Sequence, residues 1–212
     1  MSTVAVLGAT GRTGRIFVQE ADRRGHTVKA LARSFNARQD FPPGVTVIQG
    51  DATDESSLQQ LIEGADVVVS LLGRAKGSSS DLKVRSTRLS LSTMQRKGVK
   101  RFLRLASAPF GVPGEGDDPT GGQKFLAGLV KFFAGSMVND ERKASEHVRH
   151  SSVEWTIVRA PILADTPYPG KYRVGSLGRK SGRRVSRATI AEFILDEIEN
   201  GQYIRTSPLV TD

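Results

Sequence analysis

The amino-acid sequence predicts an α/β protein in which helices flank both faces of a doubly wound parallel sheet. Short apolar stretches alternate along the chain with longer segments of helical periodicity, which is typical of repeated strand–helix–strand units. Residues 65–72 are predominantly apolar, as expected for a central parallel strand that is buried on both faces. Because no internal repeat and no shift in composition marks a second unit, we expect one domain over residues 1–212.

The first strand, residues 4–7, leads directly into a glycine-rich turn. Gly8 is followed by Gly11 and Gly14, and an amphipathic segment begins there. Glycine lets the backbone approach a pyrophosphate and lets the helix pack closely on the strand, and the N–H groups of the first helical turn attract the anion. The context of strand, turn and helix predicts a Rossmann-type dinucleotide site. Its predicted cofactor-binding residues are Gly8, Thr10, Gly11, Arg12, Thr13 and Gly14.

The end of the second strand indicates which dinucleotide binds. The first helix is predicted over residues 12–24, Gly25 ends it, and Thr27–Ala32 forms the strand. Where a dinucleotide fold often carries an acid for the ribose 2′-hydroxyl, this chain has Arg33 and Ser34. A guanidinium beside a hydroxyl suits a 2′-phosphate, so we expect NADPH rather than NADH. The alternative is that Arg33 is a solvated loop arginine.

Two further strand ends carry candidate cofactor contacts. The third strand, residues 45–49, is followed by Asp51, which either accepts a hydrogen bond from the adenine amine or is the N-terminal acid of the helix predicted at Glu55–Ile62. The fourth strand closes at Leu72 and Gly73, followed by Arg74, where a small residue lets the chain pass close to the cofactor.

The fifth strand, residues 100–106, follows a helix predicted over residues 80–96 and ends at Ser107. A long loop rich in glycine, proline and aspartate then runs to Gly122, and loops of this length are usually functional or mobile. Ser107 is therefore a candidate catalytic residue beneath a candidate lid. Residues 124–133 are rich in apolar side chains, which favours a lid or core helix over the substrate pocket rather than a membrane or partner contact.

The last third of the chain continues the alternation. Helices are predicted over residues 139–150 and 187–199, the second capped by Ser186, and strands over residues 154–159 and 203–205. Residues 171–187 contain seven basic and no acidic residues, which indicates a solvated basic face.

Composition limits the possible partners. The formal net charge of +9 is compatible with a phosphorylated cofactor, an acidic substrate, a membrane surface or nucleic acid, and the charge alone does not choose among these anionic partners. The absence of cysteine excludes thiolate catalysis, cysteine-ligated zinc and disulfides. No apolar run is long enough to span a bilayer and no secretion signal is evident, so we expect a cytoplasmic protein without a membrane partner. Nucleic acid is not expected as a partner because aromatic residues are not interleaved with the basic ones. Monomer and dimer both remain open.

With these residues in place, the chain resembles the atypical short-chain dehydrogenases of the flavin reductase/biliverdin-IXβ reductase type and their NmrA-like relatives. The resemblance rests on residues 8–14, 50–51, 71–73, 106–108, 155–161, 170–172 and 185–187. It implies that residues 8–14 bind pyrophosphate, that Arg33 holds the 2′-phosphate and that Ser107, with Ala106 beside it, lies near the nicotinamide. It also implies that residues 160–163, including Ala160, Pro161 and Ile162, line the nicotinamide pocket.

Two positions depart from the patterns of these relatives. In the Tyr-x-x-x-Lys pair of ordinary short-chain dehydrogenases, Lys143 matches the lysine but Asn139 stands at the tyrosine position, and an amide is no general acid. Biliverdin-reducing members have a histidine where this chain has Ile162.

Two functions follow as hypotheses. The first is an NADPH-dependent oxidoreductase that transfers hydride to a small flavin, quinone or carbonyl acceptor, with Ser107 and Lys143 as catalytic residues. The second is an NADP(H)-binding redox sensor.

Overall fold

The computed structural model describes residues 1–73, 77–108, 113–179 and 181–212, with the side chain of Phe35 excepted. The strands are β1 (Thr3–Leu7), β2 (Thr27–Ala32), β3 (Thr46–Gln49), β4 (Val67–Ser70), β5 (Arg101–Ser107), β6 (Glu154–Ala160), β7 (Ile162–Ala164), β8 (Arg173–Gly175), β9 (Arg184–Ser186) and β10 (Leu209–Thr211). The α-helices are α1 (Arg12–Arg23), α2 (Glu55–Ile62), α3 (Leu82–Lys97), α4 (Gly121–Arg149) and α5 (Arg187–Asn200), and a 3-10 helix covers Phe35–Asp40.

Eight strands form one twisted sheet in the order β3-β2-β1-β4-β5-β6-β10-β8. All neighbouring pairs are parallel except β10 and β8, which confirms the predicted doubly wound α/β fold. The chain order reverses between β1 and β4, and ligands of open α/β sheets bind in the crevice at such a reversal. A small second sheet pairs β7 with β9 in parallel.

The sheet is buried on both faces, as its apolar strands require. Alternate residues of β1 face opposite sides, so that Val4 and Val6 join one apolar core and Ala5 and Leu7 the other. The first core contains residues of α1 and α5, and the second contains residues of α2 and α3. Helices therefore cover both faces, and the carboxyl ends of the strands are left to form a site.

The prediction of the last strand is wrong. Residues 203–205 form a turn, and the strand in the sheet is β10, further along the chain. The carboxylate of Glu197 accepts hydrogen bonds from the Tyr203 N–H at 2.9 and 3.0 Å, and Arg205 has a φ of 59°, so the segment bends instead of extending. Strands β7, β8 and β9 are too short, at three residues each, to show a period in the sequence.

The region predicted as an apolar helix and a separate later helix is one long element, α4, with a break. Ala134 has non-helical angles of φ −131° and ψ 35° and divides α4 into two parts. The second part packs against the body through Asp140, Glu141, Ala144, Ser145 and Val148. The first part is exposed, so the expectation of a lid or core helix at residues 124–133 is wrong. Within the described residues, no helix is both long and apolar enough to cross a membrane.

The long loop after β5 is fixed at its second half. Residues 109–112 lie outside the described residues, but Asp117 accepts hydrogen bonds from Arg159 Nη1 and Nη2 at 2.6 and 2.9 Å. The same carboxylate accepts from the N–H groups of Gly114 and Leu177, both at 2.8 Å. Arg159 is 1% exposed in its side chain, so the loop is attached to the end of β6 by a buried ion pair.

Candidate functional site

A cavity of about 670 Å³ lies at the carboxyl ends of the parallel strands, where the chain order reverses. Its size falls within the range of cofactor and ligand sites. It brings together residues that are up to 179 positions apart in the chain, from Gly8 to Arg187. The predicted site residues that line it are Gly8, Thr10, Gly11, Arg12, Thr13, Arg33, Asp51, Leu72, Gly73, Ala106, Ser107, Ala160 and Pro161.

The glycine turn has the backbone that the sequence predicts. Gly8 has a φ of 78°, and a Cβ there would lie 2.7 Å from the backbone of Leu71, so only glycine fits. A Cβ on Gly14 would lie 2.6 Å from the carbonyl oxygen of Ala9 and still nearer to that of Gly8. Glycine at position 14 therefore allows α1 to pack closely on the turn. Gly14 itself does not line the cavity. The N-cap of α1, Gly11, has no side chain to accept from the first N–H groups, which remain available to an anion.

Arg33 and Asp51 lie at the cavity where β2 and β3 end. Asp51 is not the cap of α2, because Asp54 accepts the hydrogen bond from the Ser57 N–H at 2.8 Å. Hydrogen bonds from the Thr53 hydroxyl and N–H, with the nearby charge of Arg33, hold the pKa of Asp51 below its ordinary value. Ser34 does not line the cavity, and its hydroxyl instead accepts from the Asn36 N–H at 3.3 Å and caps the 3-10 helix.

Among the described residues, four basic residues and one acidic residue line the cavity, which gives it a positive character; the basic residues are Arg12, Arg33, Lys83 and Arg187. Three of the four cations already face carboxylates. Arg12 and Arg187 lie 2.9 and 2.6 Å from the two oxygens of Asp165, and Lys83 pairs with Glu141. In the described part of the chain, Arg33 forms no ion pair. Among the described cations of this cavity, its guanidinium is therefore the one that is free to bind an added phosphate.

Ser107 is half-buried at the end of β5 and is paired across the sheet with Ala160 of β6. Both residues line the cavity, together with Pro161 and Leu163. Ile162 points elsewhere: it is 63% exposed and is not part of the lining. Alternation along β7 explains this, since Ile162 and Leu163 must face opposite sides.

Within the described ranges, the lysine at the cavity is Lys83, whereas the sequence had indicated Lys143 as a catalytic residue. Lys143 is exposed on α4 and does not line the cavity, whereas Lys83 of α3 does. The ammonium of Lys83 contacts the carboxylate of Glu141, which also lies 2.8 Å from the guanidinium of Arg104. Burial alone would raise the pKa of Glu141, but the charges of Arg104 and Lys83 outweigh it and keep the pKa below its ordinary value.

The comparisons with known proteins agree with this geometry. The model of a family described as NAD(P)H-binding matches residues 8–201. The chain belongs to the NAD(P)H-binding family. Isoflavone reductase homolog IRL from Zea mays is 34% identical to this NAD(P)H-binding protein over 113 residues, which are 48% of this chain and 34% of that protein. The match thus spans about a third of that relative's length. Divinyl chlorophyllide a 8-vinyl-reductase of Arabidopsis thaliana is 32% identical over 120 residues, 49% of this chain and 29% of that protein.

Solved structures show the same fold over nearly all of the chain. A short-chain dehydrogenase/reductase of Veillonella parvula in complex with NADP has a TM-score of 0.79 at 21% identity, covering 100% of this chain and 95% of that one. ChuY, an anaerobilin reductase of Escherichia coli O157:H7, has a TM-score of 0.77 at 20% identity, covering 99% of this chain and 96% of that one. Both resemblances show the fold of this NAD(P)H-binding protein.

Two lining cations were missed by sequence reasoning. Arg187 begins α5, and only its buried side chain, 7% exposed, shows that it faces the cavity. Lys83 lies in the first turn of α3, where no motif distinguishes it from the helix's other basic residues. A signal for Arg187 was present in the sequence, because it follows the capping Ser186 and helix N-termini border the crevice in this fold.

Proposed function

We propose that this NAD(P)H-binding protein is an NADPH-dependent oxidoreductase that reduces a small acceptor of flavin, quinone or carbonyl type. The observation that carries the proposal is the cavity in which the glycine turn, the unpaired cation Arg33 and the half-buried Ser107 meet at the reversal of strand order. Reductases among the relatives, such as the isoflavone reductase homolog and the chlorophyllide reductase, support the same class of reaction.

The residues present fit a phosphorylated dinucleotide. The three glycines of the turn let the backbone approach a pyrophosphate, and a Cβ at Gly8 would collide with the backbone of Leu71. Positive charge at the strand ends would attract the phosphates, and no carboxylate stands at the end of β2 to repel a 2′-phosphate. When it is bound, NADPH supplies the hydride.

The chain's own residues position the acceptor and stabilise charge. The hydroxyl of Ser107 can donate a hydrogen bond to an acceptor oxygen as negative charge grows on it, because the hydroxyl lies at the cavity and no described residue accepts from it. Flavins and quinones take their proton from water, so the asparagine at position 139 does not prevent the reaction.

The experiment is steady-state oxidation of NADPH, followed by its absorbance, with a panel of flavins, quinones and carbonyl compounds. We expect turnover with at least one class, and we expect Ser107→Ala to lower kcat by about a hundredfold, as loss of an oxyanion donor does, with little change in the Kd of NADPH. Ser136→Ala, an exposed serine outside the cavity, is the matched control. NADP(H) binding without turnover on any acceptor would reject the enzyme and favour the redox sensor.

A further inference from the structure

The first part of α4, residues 121–133, is an apolar helix with almost no partner in the described chain. Phe132, Phe133 and Phe125 are 82%, 78% and 73% exposed, and Leu126 and Leu129 are 54% and 45% exposed. Phe132 and Phe133 stack edge to face with ring centroids 5.1 Å apart. Large apolar side chains in a contiguous exposed group mark a surface that another molecule covers.

These side chains share one face of the helix. At 100° per residue, the five positions 125, 126, 129, 132 and 133 fall within one half of the helical wheel. Lys124 and Lys131, seven residues apart, lie on the opposite face, and residues 119–139 contain no acid. Phenylalanine and leucine on one face and lysine on the other are the pattern of a helix that lies in a membrane interface.

A strongly basic segment lies beside the start of this helix. Gln123 Nε2 donates to the carbonyl oxygen of Gly178 and to Ser181 Oγ, both at 3.3 Å, and the Asp118 N–H donates to the Leu177 carbonyl at 2.8 Å. The exposed arginines near these contacts are Arg173, Arg179, Arg183 and Arg184, and residues 166–191 contain no acid. The apolar helix thus adjoins a predominantly basic surface, whose exposed acids are Glu115 and Asp118 of the loop that leads into the helix.

We propose that this surface binds an anionic lipid bilayer, with residues 121–133 lying in the interface. Phe125, Phe132 and Phe133 would insert among the acyl chains while the lysines and the neighbouring arginines contact lipid phosphates. A second copy of the chain fits less well, because a symmetric contact would bring these cations together without an acid from residues 119–139 to pair with them. The proposal replaces the sequence-based expectation that a membrane is not a partner.

Flotation with lipid vesicles tests the proposal on the full chain. We expect it to float with vesicles of phosphatidylcholine containing one-third phosphatidylglycerol, to float poorly with phosphatidylcholine alone, and to be released by salt. Replacing both Phe132 and Phe133 with serine should lower partitioning by about tenfold or more, since two inserted rings are lost. Ile204→Ser, at another exposed apolar position, should leave it unchanged.

A charge-matched pair of variants separates this surface from the net charge of the protein. Lys124→Glu with Lys131→Glu should abolish flotation, whereas Arg88→Glu with Lys100→Glu, which changes the net charge equally at exposed sites elsewhere, should retain it. Equal loss in both pairs, or no binding of the unchanged protein to anionic vesicles, would overturn the proposal. So would a dimer that the serine variant dissociates while vesicles bind neither form.

Fluorescence gives a measurement that does not depend on a loss of binding. Trp155 is the only tryptophan and is buried, so a Phe132→Trp variant adds one exposed reporter. Its emission should shift to the blue when anionic vesicles are added and stay constant with neutral ones. An unchanged spectrum with both would contradict insertion of this face.

Discussion

We propose that the choice of cofactor depends on Arg33. Its guanidinium can form a charge-assisted hydrogen bond with a 2′-phosphate, and NADH lacks that group. Arg33→Ala should therefore weaken NADPH binding by about 1.5–3 kcal/mol, roughly ten- to a hundredfold, while the Kd of NADH hardly changes. Titration calorimetry with both dinucleotides measures the ratio.

Neighbouring arginines define the controls for that experiment. Arg12 lines the same cavity, although Asp165 holds it, so the double variant with Arg12→Ala should show the larger loss. Arg38 is not expected to bind the 2′-phosphate, because its guanidinium already donates to the carbonyl oxygens of Val45 and Pro43 at 2.7 and 3.1 Å. A preference of the unchanged protein for NADH, or an unchanged ratio in both variants, would make Arg33 an ordinary surface arginine.

Gly14 and Gly128 are both helical glycines, and the structure predicts opposite effects of replacing them with alanine. A Cβ at Gly14 would overlap the carbonyl groups of Gly8 and Ala9, so Gly14→Ala should lower the free energy of unfolding by about 1–3 kcal/mol and weaken dinucleotide binding. A Cβ at Gly128 would meet no atom within 4 Å, so Gly128→Ala should raise the free energy of unfolding by about 0.5–1 kcal/mol. Urea denaturation measures both; similar signs would contradict the close helix contact.

At the scale of residues, local rules predicted the backbone geometry of the glycine turn correctly. The glycines at positions 8, 11 and 14 could be assigned because strand, turn and helix follow one another in the chain. Lys143 and Lys83 could not be distinguished in this way. Which lysine reaches the cavity depends on how α3 and α4 pack together, and no local pattern encodes that packing.

At the scale of elements, α3 begins with a cap that comes from another helix. Its own N-cap, Asp81, makes no side-chain capping bond. Instead, the carboxylate of Asp140 on α4 accepts from the N–H groups of Val84 and Lys83 at 2.9 and 3.2 Å. Asp140→Ala would leave these partly buried donors without their partner and should lower the free energy of unfolding by about 1.5–3 kcal/mol, whereas Asp81→Ala should have little effect.

Chemical denaturation of both variants, together with the unchanged protein, tests this assignment. A larger loss for Asp81→Ala would show that α3 is capped locally. Because Lys83 also lines the cavity, weaker dinucleotide binding should accompany the loss at Asp140.

Elements with clear periodicity and clear end signals were predicted well, whereas the three-residue strands were not predicted at all. Strand β2 and helix α2 have the predicted bounds, since periodicity and end signals agree there. Helix α4 was interpreted correctly in its second part and wrongly in its first. Ten apolar-rich residues resemble a buried helix whether or not the fold supplies something to cover them, and here it does not.

At the scale of the whole molecule, the ion pair of Asp117 and Arg159 connects the loop after β5, the end of β6 and the segment after β8. Burial alone would raise the pKa of Asp117, but hydrogen bonds from Arg159 and from the N–H groups of Leu177 and Gly114 outweigh it and lower the pKa. The resulting stabilisation is fully present above the ordinary pKa of an aspartate, about 3.9, and is lost as the pH falls through the lower folded-state pKa.

Asp117→Asn should therefore destabilise the protein at neutral pH by about 2–4 kcal/mol, because the buried guanidinium loses its charge partner. It should also flatten the decline in stability on the acid side. Asp118→Asn, at the exposed neighbouring position, makes the same change in net charge and should preserve the decline. Denaturation curves from pH 7 to pH 3 compare the three proteins. The same decline in the free energy of unfolding with falling pH in all three would reject the assignment.

The cavity draws its lining from both halves of the chain, and this has a consequence for protein synthesis. A nascent chain that has emerged as far as Ser107 contains the glycine turn, Arg33 and five adjacent strands, but it lacks Ala160, Pro161 and Arg187. At about 5–20 residues per second, the roughly 80 residues from Ser107 to Arg187 need some 4–16 s to follow. In the earlier part of that interval, until β6 has emerged, β5 is an open sheet edge beside an unfinished site.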